Sequence, residues 1–160
     1  MRARFADFFD YLPAMSTDPQ VAIRGKVLVL DENPVAQRSV YFALRDHGYH
    51  VLMVGEVLAA MNLIRDQRPE LILMDIAFAP DPSNIGGPVQ DGFFLIEWVR
   101  GTPGVETTPI VIISATDPAA YQKRVADLGV TMCLKKPVQK ERLLQVARFI
   151  FGADDQPEPP

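Results

Sequence analysis

The sequence predicts a doubly wound α/β domain, a (βα)5 chain that builds one five-stranded parallel sheet with helices on both faces. Three observations carry this. From residue 26 onward, short β-branched or Leu-rich runs alternate with longer amphipathic runs. The short runs are nearly all apolar, as strands covered on both faces require. Gly and Pro punctuate the joins between the two kinds of run.

Taken in order, "KVLVLD" at 26–31 is the first strand, and a helix over about 34–47 follows it to Gly48. The second strand is "YHVLMV" at 49–54, with a helix over 56–67 that stops before Pro69. The third strand, "ELILMD" at 70–75, precedes a helix over 91–100. "PIVIIS" at 109–114 is the fourth strand, and Asp117-Pro118 then supplies an N-cap and first-turn proline for a helix over 118–128. Gly129 ends that helix where a positive φ suits glycine, "TMCLKK" at 131–136 is the fifth strand, and a helix over 138–151 closes the domain after Pro137. The expected organisation is an N-terminal extension at 1–24, one domain at 25–151 and a flexible acidic tail at 152–160.

Two stretches stand outside this rhythm. "FADFFDYL" sets Phe5, Phe8, Phe9 and Leu12 on one face of a short helix, expected to dock on its own domain. "APDPSNIGGPVQ" at 79–90 is too rich in Pro, Gly, Ser and Asn for regular structure and reads as a long loop. Composition narrows the function. A net charge of −4 gives no basic field for phosphate backbones, so direct nucleic-acid binding is not expected. No apolar run reaches a bilayer's span, and Asp7 and Asp10 interrupt the N-terminal apolar stretch where a signal peptide would be unbroken. The one cysteine, Cys133, forms no internal disulfide and suits a reducing compartment; a cytoplasmic protein without membrane contact is expected.

The chemistry concentrates at strand ends. In an open parallel sheet, ligands bind beyond the carboxyl ends of the strands. Here the first strand ends in Asp31-Glu32, the third in Asp75, the fourth in Ser114 and the fifth in Lys136. Crowded acids favour a hard divalent cation such as Mg2+, and a carboxylate can serve as a nucleophile toward phosphorus. Lys136 and Ser114 would offer a compact charge and a hydroxyl to phosphoryl oxygens. Each residue alone is an ordinary turn former, cap or solvated strand end. Their joint placement at the ends of four strands of one chain is what carries the reading.

With these residues in place, "VLDENP", "LILMDI", "VIISAT" and "LKKP" resemble the acidic pair, phosphoacceptor strand, Ser/Thr-Ala and Lys-Pro motifs of response regulator receiver domains, the CheY-like superfamily of two-component signalling. The resemblance covers about residues 25–151 and includes "DG" at 91–92, the Asp-Gly that opens the third helix. Ser114 and Lys136 stand 22 positions apart, and Glu32 and Asp75 stand 43 apart, both usual for the family. It implies a flavodoxin-like strand order 2-1-3-4-5. It also implies a phosphoryl group accepted on Asp75 from a histidine kinase or histidine phosphotransfer protein, with Mg2+ held by Asp31, Glu32, Asp75 and the backbone carbonyl of Ala77. Ser114 and Lys136 would sense that group, and position 133 would be the conformational switch.

The chain departs from the pattern in three places. Sixteen positions separate Asp75 from Asp91, so the 79–90 loop carries an insertion, which costs little because loop closure rises by only ~0.6 kcal/mol per doubling. Cys133 stands where receivers commonly have Tyr or Phe, so the usual aromatic switch is absent there. Ala77 and Thr116 flank the path of an attacking water, and Ala77 cannot orient it, so slow loss of the phosphoryl group is expected. The chain ends after the fifth helix, so a stand-alone receiver signalling to a downstream protein target is expected. The apolar residues of "RLLQVARFIF" make a homodimer through the 138–151 helix a candidate. The alternatives are a non-phosphorylated pseudo-receiver acting as an interaction module, and an Asp-nucleophile phosphatase. The second would want another acid two residues after the nucleophile, where this chain has Ala77.

Overall fold

The structure is a computed structural model, described here for residues 23–77 and 92–152. The expected N-terminal helix, the 79–90 loop with Asp91, and the tail beyond Gly152 lie outside the described residues. Five strands and five helices alternate: β1 (Lys26–Leu30), α1 (Pro34–Arg45), β2 (His50–Val54), α2 (Val57–Gln67), β3 (Leu71–Met74), α3 (Gly92–Gly101), β4 (Ile110–Ser114), α4 (Gln122–Asp127), β5 (Met132–Lys135) and α5 (Lys140–Phe151). All strand pairs are parallel and the order is β2-β1-β3-β4-β5, the doubly wound order expected from the resemblance. Chain order reverses between β1 and β3, which pair from Val27↔Leu71 to Leu30↔Met74.

Strand parity divides the core in two. Leu28, Leu30, Ile72, Met74, Ile110 and Ile112 face α2, α3 and α4, where Ala60, Ile64, Leu95, Ile96 and Val99 meet them. Val27, Val29, Leu71, Leu73, Val111 and Ile113 face the other way, onto Ala43 and Leu44 of α1 and Leu143, Leu144, Val146 and Ala147 of α5. Alternate side chains of a strand point to opposite faces, so both residues of every pair must be apolar. That is why these strands read as unbroken hydrophobic runs. Most of the apolar surface of α5 is thereby core. Phe149 stays 73% exposed, and Phe151 packs its ring 5.3 Å from that of Tyr49.

One helix differs from expectation. The segment over 118–128 is split into a 3-10 turn, Pro118–Ala120, and the short α4. Asp117 does cap it, accepting the Ala119 N–H at 2.9 Å, but Tyr121 takes φ −131° and breaks the helical run. Gly48 (φ 86°) and Gly129 (φ 60°) adopt the left-handed conformation their positions predicted. Arg68 ends α2 in the same region at φ 44°, a conformation costing a non-glycine residue about 1–2 kcal/mol.

Candidate functional site at the β1/β3 switch point

Asp31 and Asp75 leave the sheet side by side where chain order reverses. The Asp31 N–H reaches Val54 O at 3.2 Å and the Asp75 N–H reaches Leu30 O at 2.9 Å, so each backbone continues the ladder one residue beyond its strand. Their carboxylates are then held by local turns. Asp31 Oδ1 accepts the Asn33 N–H at 2.8 Å, and Asp75 Oδ1 accepts the Ala77 N–H at 2.9 Å. Asn33 in turn caps α1, its Oδ1 accepting from Val35 and Ala36 before Pro34 has completed the first turn.

The remaining carboxylate oxygens share one partner. Lys136 Nζ donates to Asp31 Oδ2 at 2.5 Å and to Asp75 Oδ2 at 2.6 Å. These side chains are largely buried, at 11% exposure for Asp31, 13% for Asp75 and 23% for Lys136. Burial alone pulls the lysine pKa down, but the two carboxylate bonds outweigh it and hold the ammonium above its ordinary value. Lys136 is placed by its own backbone, whose N–H donates to Ser114 O at 2.9 Å, and the following bond to Pro137 is cis. Ser114 is fully buried, with Oγ accepting the Thr116 N–H at 3.2 Å.

The structure thus brings Asp31, Asp75 and Lys136 into direct contact and ties Ser114 to them through the β4–β5 ladder. Glu32 is exposed at the end of β1, and Ala77 is exposed with its N–H committed to Asp75. Cys133 lies half-buried on β5 against the α2–α3–α4 layer, and burial pushes its thiol pKa up. Gln37, which the sequence reading passed over, is a structural part of the site. It is 4% exposed, and its side-chain amide donates at 2.6 Å to both Asp31 O and Val54 O, fastening the ends of β1 and β2. A glutamine facing the sheet in an otherwise apolar helix stripe was the available signal. A second such part is Gly92. A Cβ there would lie 2.7 Å from Ile76 Cα, so glycine lets α3 close against the backbone just beyond Asp75.

A cleft of about 370 Å3 is lined by Asp31, Asp75 and Lys136 together with Ala36, Val40 and Val138. The donor chemistry suits a hard divalent cation: two carboxylates already converge on a single positive charge, and every candidate donor is oxygen. Among the described residues no group of three or more His, Cys, Asp or Glu side chains is placed to hold a metal ion, so the two carboxylates are the side-chain donors on offer here. No helix among the described residues is long and apolar enough to cross a membrane.

Residues 27–148 match the family described as the response regulator receiver domain. The polar-differentiation response regulator DivK of Brucella anthropi is 21% identical over 126 residues, 79% of this chain and 95% of that protein. Among solved structures, the chemotaxis response regulator CheY4 of Vibrio cholerae superposes with a TM-score of 0.68 at 27% identity, over 79% of this chain and 98% of that one. The receiver domain of the sensor histidine kinase PA1611 from Pseudomonas aeruginosa PAO1, solved with a magnesium ion coordinated in its active site cleft, gives 0.68 at 25% identity, over 81% and 98%. With its strand order, its paired carboxylates at the switch point and this match across most of its length, the chain belongs to the response regulator receiver domain family of two-component signalling.

Proposed function

We propose that Asp75 accepts a phosphoryl group from a histidine kinase or histidine phosphotransfer protein, and that the phosphorylated domain signals through protein contacts in the cytoplasm. The observation that carries this is the convergence of Asp31 and Asp75 on Lys136 beside an open cleft. A carboxylate oxygen of Asp75 forms the O–P bond as the N–P bond of the phosphohistidine breaks, and the electron pair returns to the imidazole nitrogen. Lys136 stays charged throughout and can follow the new phosphoryl oxygens, while Ser114 can turn its hydroxyl toward them from the neighbouring strand. Asp31, Glu32, Asp75 and the Ala77 carbonyl would hold Mg2+, which supplies counter-charge to the equatorial oxygens as the group transfers. The signalling unit is residues 25–151, with 1–24 and 152–160 as appendages.

The rival readings separate in one assay. Incubation with a small acyl phosphate and Mg2+ is expected to give stoichiometric covalent, alkali-labile phosphate that is lost when EDTA is present from the start. Continuous release of free phosphate would instead indicate a phosphatase. No reaction under any condition would leave a protein-binding pseudo-receiver. Surface Phe149 on α5 is the residue through which a homodimer could form, and sedimentation of wild type against Phe149→Ser tests that contact.

A further inference from the structure

Helix α1 carries an apolar stripe that the core does not use. Ala43 and Leu44 turn toward the sheet, whereas Val35 is 73% exposed and Phe42 is 41% exposed. These two stand seven positions apart, two turns along one outward face. The Phe42 ring is edged by Tyr41, with centroids 5.4 Å apart, and capped by the Arg45 guanidinium at 4.7 Å, both from its own helix. Between residues 34 and 45 the helix bears Arg38 and Arg45 and no acid. A second copy docked on this face about a two-fold axis would set those arginines against their equivalents, which like charges oppose.

The path of the chain supplies a better occupant. Residues 1–22 precede the described part and join it at the C-terminal end of α1. There the Arg24 N–H donates to Gly48 O at 3.0 Å, just past the helix, and Gly25 lies too close to the Phe151 ring of α5 to carry a side chain. Ile23, at this exit, is 66% exposed. The ten residues 13–22 can span at most ~33–36 Å, whereas the twelve-residue α1 is roughly 18 Å long. Residues 5–12, "FADFFDYL", therefore have the reach to lie anywhere along α1. In that stretch Phe5 and Leu12 repeat the seven-residue interval of Val35 and Phe42, with Phe8 and Phe9 between them. Asp7 and Asp10 with no base make it opposite in sign to α1.

We propose that residues 5–12 of this chain cover the outer face of α1, with their aromatic stripe on Val35 and Phe42. The occupant is tethered to the surface it covers, so the contact forms within one chain at any protein concentration. Because α1 also supplies Ala36, Ser39 and Val40 to the cleft at Asp75, the segment runs along the outside of one wall of that cleft. The proposal rests on the surface and the chain path and does not depend on what Asp75 accepts.

A photo-crosslinker in the full chain tests it. Val35→p-benzoylphenylalanine places the probe on the stripe, and Leu58→p-benzoylphenylalanine places it on α2, exposed on the opposite side of the sheet, as a control. After illumination and proteolysis, mass spectrometry is expected to find the Val35 probe joined to residues 5–12 of the same chain, with a yield unchanged across a dilution series. Replacing Phe8→Ser and Phe9→Ser together should lower that yield by at least about tenfold, as removal of two apolar anchors allows. A yield no greater than that from position 58, or one that survives the double replacement, would overturn the proposal. Products that join two chains and fade on dilution would overturn it in favour of a second copy.

Discussion

Lys136 is the side chain on which the site's balance turns, because it neutralises two carboxylates that would otherwise repel each other. Lys136→Met leaves Asp31 and Asp75 facing with no counter-charge. The expected loss is about 1–2 kcal/mol, less than for a fully buried pair because all three groups keep some solvent. Millimolar Mg2+ should then raise the variant's denaturation midpoint more than wild type's; an equal rise would show that the carboxylates do not form a cation site. Because the fold holds the lysine charged more firmly than the unfolded chain does, its contribution is complete below lysine's ordinary ~10.4 wherever its carboxylate partners are ionised, and fades as pH climbs through the folded value. Ala77 leads to a kinetic expectation. Its side chain cannot orient an attacking water, and its N–H is bound to Asp75, so the aspartyl-phosphate should persist well beyond minutes. Loss within seconds, followed by intact mass after removal of the phosphodonor, would contradict this.

Helix α3 is fixed at both ends by contacts that sequence patterns reveal poorly. At the start of α3, Gly92 sits against the backbone of Asp75 and Ile76, and Gly92→Ala would push a methyl group to 2.7 Å from Ile76 Cα. Overpacking of this kind costs about 1–3 kcal/mol, and here the strain falls on the backbone just beyond Asp75. The variant should lose stability and accept phosphate more slowly; unchanged urea midpoint and rate would show that α3 stands off from β3. At the far end of α3, Arg100 binds four backbone carbonyls at 2.9–3.0 Å: Glu106, Thr108, Leu128 and Gly129. One side chain thereby joins α3 to the loop before β4 and the turn before β5. Arg100→Met leaves those carbonyls without their charged donor, and a loss of about 2–4 kcal/mol by urea denaturation is expected. A change below ~0.5 kcal/mol would place Arg100 among ordinary surface residues.

For the molecule as a whole, one arrangement does two tasks. Apolar pairs on alternate strand positions build two hydrophobic layers, and the reversal of chain order between β1 and β3 brings Asp31 and Asp75 together above them. The strands, their parallel pairing and the acids at their ends were legible because each rests on local pattern: continuous Val, Ile and Leu, then a carboxylate where the run stops. What could not be read required distances between segments far apart in the chain. The sequence reading singled out neither Gln37, whose amide meets two strand ends, nor Tyr121, whose buried hydroxyl has no partner among the described residues. Glu32, read with Asp31 and Asp75 as one of the crowded strand-end acids, has an exposed side chain, while the other two share Lys136. Short-range capping was legible at Asp117, but Tyr121's backbone broke the helix that the same pattern promised. The most direct test of the central claim is intact mass of wild type and Asp75→Asn side by side after acyl phosphate and Mg2+. Wild type should gain one phosphoryl group and the variant none; equal phosphate on both, or none on wild type, would contradict the assignment of Asp75.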